Sequence, residues 1–97
     1  MTIEQFARAC EASRPPAGLA GPLLALWWDA RGDWDRAHKV AQEAATQEGS
    51  LVHAYLHRKE GDPGNAGYWY SRAGRQPHRG SLEQEWKDIA AELCGQS

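Results

Sequence analysis

A chain of 97 residues is sized for one domain, and folding it buries roughly 60–70% of the surface exposed when unfolded, enough for a modest single core. Thirteen acidic side chains against eleven Lys and Arg leave a net charge of −2, which argues against the basic footprint expected for nucleic acid or an anionic membrane. The longest apolar run is only Leu23–Trp28, so nothing reads as a spanning segment or a secretory leader.

Five Trp, three Tyr and one Phe compensate for a single Met and little Ile or Val, since each large ring buries about 150–250 Å². Cys10 and Cys94, near opposite ends, suit a reduced, cytoplasmic protein. A bridge between the terminal helices is the alternative that an oxidising compartment would allow.

Thr2-Ile3-Glu4-Gln5 has a capping-box pattern and predicts a short first helix with Ile3, Phe6, Ala7 and Cys10 on its packed side. The prolines of Arg14-Pro15-Pro16-Ala17-Gly18 then stop it. Leu23–Trp34 is the most apolar stretch, entered through Pro22; a helix apolar nearly all round is expected to be the central rod of the core. Asp29 and Arg31 are the only charges within that helix, and Asp29 needs a buried polar tie, for which Arg31, His38, a Trp indole or Arg58 are available. Gly32 as left-handed C-cap and Asp33 as N-cap predict a tight helical hairpin. Its second helix runs to about Gln47 and presents Trp34, Ala37, Ala41, Ala44 and Ala45 to its bulky neighbour.

Gly49-Ser50 reads as a further break, followed by a short helix over Leu51–Glu60. Leu51, Val52, Ala54, Tyr55 and Leu56 form its apolar face, and His53, His57 and Glu60 gather on the other. Gly61-Asp62-Pro63 repeats the stop and start, leading into a helix with Ala66, Trp69, Tyr70 and Ala73 buried and Tyr68 and Arg72 pointing away. A polar loop with Arg75, His78 and Arg79 precedes a second capping box, Ser81-Leu82-Glu83-Gln84. In the last helix Leu82, Trp86, Ile89, Ala90 and Leu93 form the packed stripe while Glu83, Glu85, Lys87, Asp88 and Glu92 face water.

An internal repeat joins these elements. Ala25, Trp28, Gly32, Asp33, Ala37 and Ala44 recur 29 positions later as Ala54, His57, Gly61, Asp62, Ala66 and Ala73. The pattern resembles the tetratricopeptide repeat, with Leu24-Ala25, Trp28 and Ala37 matching in the first unit and Ala54, Ala66 and Tyr70 in the second. It departs from that family where Gly21 and Ser50 replace the leading Trp, where Ala41 replaces an aromatic, and in a period shorter than about 34. The resemblance spans about residues 21–77 and implies an all-α fold of two antiparallel helical hairpins, flanked by N- and C-terminal capping helices. Trp-Asp-Ala-Arg-Gly-Asp-Trp-Asp-Arg-Ala-His, among other stretches, also resembles small uncharacterised bacterial helical proteins.

Two constellations carry candidate chemistry. His53 and His57 stand one helical turn apart, the spacing that offers two ligands to one divalent transition metal, with Glu60 a turn further and His38 able to join if the fold brings it near. A zincin motif would need Glu directly after the first His, where Ala54 stands. Asn65, Tyr68, Arg72 and Arg75 form a flank of the composition favoured at protein-binding hot spots. With no nucleophile elbow, Walker loop, dinucleotide loop or Cys-His zinc spacing, the expectation is a helical protein-binding or assembly module without a cofactor. Its partner is another protein or a second copy, since two-fold dimers are the commonest closed assemblies. The alternative is a metal-binding or acid-base enzyme using His53, His57 and Glu60. In the register of the repeat those two imidazoles occupy the places of Leu24 and Trp28, which are core residues.

Overall fold

The computed structural model describes residues 1–95; Gln96 and Ser97, counted above within the single domain, lie outside the described residues. Its elements are α1 (Ile3–Ala9), α2 (Gly21–Ala30), α3 (Trp34–Glu43), α4 (Gln47–Lys59), α5 (Pro63–Ala73) and α6 (Leu82–Leu93), with no strand among the described residues. Local chemistry sets where they begin. Thr2, Asp33, Thr46, Asp62 and Ser81 each accept a first-turn amide on their side chain, satisfying a donor that the helix leaves free. At Thr2 the capping box is complete, with Gln5 answering to the Thr2 amide. Only α2 lacks a side-chain cap and starts instead through Pro22.

The two Gly-Asp turns are the same structure twice. Gly32 and Gly61 sit at φ 81° and 88°, where a Cβ is strained. In each, the glycine amide donates to the carbonyl three residues back (Asp29, Arg58) and the following Asp amide to the carbonyl five back (Trp28, His57). The result is two helical hairpins, α2–α3 and α4–α5, packed together through α3 and α4. Helix α6 packs on α4 and α2, and α1 packs on α6.

The central rod is α4, not α2. Every residue from Gly49 to His57 is buried, and α4 packs against α2, α3, α5 and α6, whereas Leu23, Leu24 and Trp28 of α2 are only partly covered. The helix is also longer than the residues suggested. Helix α3 ends at Glu43, the chain turns through Ala44–Thr46, and Gly49-Ser50 lies inside the first turns of α4 rather than breaking the chain. Thr46 caps that start by accepting the Gly49 amide. Glycine is required there because a Cβ would stand 2.2 Å from the Ala44 carbonyl oxygen. Ala45 consequently faces solvent, as does Ala7 on α1.

Indole N–H groups tie these layers together. Trp27 donates to the Ala9 carbonyl at the end of α1, Trp34 to the Leu56 carbonyl of α4, and Trp86 to the Leu26 carbonyl of α2. Each ring thus buries apolar area while its one donor is satisfied. Two carboxylates are held in the same interior. Asp29 accepts from the Tyr55 hydroxyl at 2.7 Å and Lys59 Nζ at 2.8 Å, so the predicted tie exists but both partners come from α4, and none of Arg31, His38, an indole or Arg58 is used. Glu85, placed by its position on the last helix among the solvent-facing acids, is only 1% exposed. It takes Arg58 Nη1 at 2.8 Å and the Tyr70 hydroxyl at 2.5 Å, joining α4, α5 and α6. Lone acids would be expelled from such a core; these are neutralised and hydrogen-bonded.

Trp27 is 1% exposed, whereas Trp28 and Trp69 are partly covered instead of fully buried as their registers suggested. Trp27→Ala is therefore expected to lose about 3–5 kcal/mol in denaturant titration, and Trp28→Ala clearly less. Equal losses would contradict this placement of the core. Gly49→Ala is expected to destabilise by about 1–3 kcal/mol through overpacking against Ala44, although alanine is the better helix former. A stabilised variant would show that α4 does not begin where described.

Candidate functional site

The small side chains Ala37 and Ala41 let α3 lie close to α4, and the Trp34 indole pins its first turn to the Leu56 carbonyl. This brings His38 of α3 against His53 and His57, which stand one turn apart on α4. Ring centroids are 4.5 Å apart for His38 and His53, 5.1 Å for His38 and His57, and 4.7 Å for His53 and His57. Two indoles wall the cluster. Trp34 stacks on His38 at 4.8 Å, and Trp69 of α5 stacks on His53 at 3.8 Å.

His53 and His57, expected on a polar outer face, are 3% and 7% exposed. Helix α4 has no outer face, because α3 and α5 cover the side opposite its aliphatic residues. His38 Nε2 faces His53 Nε2 at 2.8 Å, so one of the two carries the shared proton, and His57 Nδ1 lies 2.6 Å from Glu60 Oε2. His53 Nδ1 is buried with no partner. Burial pushes the His53 pKa down to about 4, with His38 and His57 adding to the effect. His38 is also lowered, by burial first and then by His57, against the opposing pull of Glu60 and Asp35.

Of the residues singled out from sequence, His38, His53, His57 and Glu60 are thus brought together. Asp62 is near His57 and Glu60, but its side chain caps α5 by accepting the Asn65 amide. On α5, Tyr68 is 54% exposed, its hydroxyl takes Arg72 Nη1 at 3.1 Å, and the guanidinium lies over both the Tyr68 and Trp69 rings. Asn65 is exposed near the start of the same helix. Arg75 is not part of this flank, since it pairs with Glu92 of α6, just as His78 pairs with Asp88; the last helix thus holds two of the loop's three basic side chains. Beside Trp69, a pocket of about 340 Å³ opens between the α3–α4 connection and α5, with Gln42, Thr46, Ser50 and Arg72 in its lining.

Trp34 and Trp69 were missed as parts of the site. Their signal was present in part: Trp34 precedes His38 by one turn, and the repeat aligns His53 and His57 with the apolar residues Leu24 and Trp28. The thiols of Cys10 and Cys94 are free and partly covered, and burial raises the Cys10 pKa to about 11 and Cys94 in the same direction. Neither is an activated nucleophile. No helix among the described residues is long and apolar enough to cross a membrane. No protein-family model, curated protein or solved structure matches the chain.

The neutral, buried state of His53 has a pH consequence of definite sign. Between 6.5, the ordinary histidine value, and about 4, the unfolded chain binds a proton that the folded chain refuses. Stability present above pH 6.5 should therefore fall progressively toward pH 4, with His38 acting in the same direction. Urea titrations of chelator-treated protein are expected to show this loss, reduced in His53→Leu, which restores the residue type of the first repeat. A native midpoint that is flat across that window would contradict the burial of the cluster.

Proposed function

We propose that the chain is a small helical binding and assembly module that offers the exposed flank of α5 to a protein surface, in the first instance a second copy of itself. The observation that carries this reading is Tyr68, which apart from Met1 is the large apolar side chain left more than half exposed among the described residues. It stands beside Arg72 and Trp69, the residue types enriched where interfaces concentrate their energy. The adjoining pocket lined by Trp69 and Arg72 supplies a recess for an aromatic knob. A two-fold contact in which each Tyr68 enters the other copy's pocket would use both features twice.

The repeated Gly-Asp turns support a tetratricopeptide-like reading of α2–α5, with α1 and α6 as caps. Free, unactivated thiols suit the cytoplasm. Sedimentation velocity across the micromolar range tests the central point. The native chain is expected to dimerise with rising concentration, and a Tyr68→Ala, Arg72→Ala double variant to stay monomeric. A native chain that remains monomeric throughout, or a variant that dimerises equally well, overturns the reading.

A further inference from the structure

We propose that His38, His53 and His57 form a three-imidazole site for a divalent transition metal, in the first instance Zn²⁺, with Glu60 orienting His57 rather than ligating. This site shares the Trp69 ring with the α5 flank described above, but none of its ligands belongs to that flank. One nitrogen of each ring lies within 4.8 Å of the other two, and the closest pair is 2.8 Å apart. Tetrahedral coordination at Zn–N distances of 2.0–2.1 Å places ligand nitrogens about 3.3 Å from one another. The separations are of that order, so small rotations of the rings close them on an ion.

The tautomers are prepared for it as well. Facing the Glu60 carboxylate, His57 donates from Nδ1, which leaves its Nε2 lone pair free, and a carboxylate on the far nitrogen is the usual support of a metal-bound imidazole. In the His38–His53 pair the two Nε2 atoms face each other. One of them holds the shared proton; coordination through both moves that proton to Nδ1 of the same ring and exchanges a single hydrogen bond for two metal bonds. Stacking on Trp34 and Trp69 limits the freedom of His38 and His53, so less ordering is left for the ion to impose.

The repeat provides an internal comparison. Leu24 and Trp28 stand in α2 at the positions that His53 and His57 take in α4, but they are partly covered where the two imidazoles are buried. In α4 the same register carries two imidazoles, 3% and 7% exposed, set against the third ring of His38. The second acidic grouping, His57 with Glu60 and Asp62, is less suited, because Asp62 caps α5 and Glu60 is engaged by His57. Three nitrogen ligands leave a fourth position for water or an added ligand.

The test is a titration of the metal-stripped full chain with Co²⁺, followed by visible absorption, and with Zn²⁺, followed by thermal unfolding. Expected are the intense bands of four- or five-coordinate Co²⁺ at one ion per chain, displacement by Zn²⁺, and a raised melting temperature with Zn²⁺. Glu60→Gln should weaken Co²⁺ binding about 10–100-fold, His38→Gln should weaken it further, and His78→Gln, remote from the cluster, should match the native chain. A Co²⁺ spectrum that stays that of the hydrated ion, or a folded His38→Gln variant that binds like the native chain, overturns the site. The native spectrum needs no variant, so misfolding of a substituted chain leaves the test decisive.

Discussion

The structure depends on one constraint, the burial of α4 around its whole circumference. A helix packed by four others has no solvent side on which to place polar groups, yet α4 carries Ser50, His53, His57 and Arg58 within or beside its buried run. Each must be satisfied by a neighbour or left at a cost. Arg58 reaches Glu85 of α6, Tyr55 and Lys59 reach Asp29 of α2, and His53 reaches His38 of α3. These polar contacts radiate from α4 to three of its neighbours, and they specify which helix lies against which of its faces.

That constraint also explains why chemistry collects at one seam. Where α4 meets α2 and α6, carboxylates meet cations and phenols and the charges close upon themselves. Where it meets α3, imidazole faces imidazole inside indole walls, and Glu60 touches the cluster from its margin. Burial keeps His53 neutral, its pKa held down to about 4, and lowers His38 in the same direction, so this pair offers lone pairs and one shared proton. Such a set is suited to a soft-to-borderline cation and poorly suited to an anion.

Much of the fold was legible because capping and turn chemistry are local. The Thr2 box, the Asp33 and Asp62 caps and the two glycines at positive φ occur within four residues of the helix ends they define, and the all-α architecture follows from them. The start of α4 was not legible, since Gly49-Ser50 has the composition of a break and only the approach of Ala44 makes glycine a helix residue there. The centrality of α4 was hidden for the same reason as the burial of Glu85. A histidine or glutamate scores as surface until its partner is known, and those partners lie 15 to 27 residues away. Asp29 shows the intermediate case: the need for a tie was readable on a greasy helix, but its partners 26 and 30 residues on were not.

The central claim is that three imidazoles are locked together inside the molecule. Nitrogen-15 NMR of the histidine side chains in the metal-free native chain measures it most directly, because it reports the tautomer of each ring separately. The account predicts fixed tautomers for His38, His53 and His57, with the His57 proton on Nδ1 and ring N–H signals slow to exchange with water. Averaged, rapidly exchanging spectra for these rings, of the kind a solvated histidine gives, would contradict it.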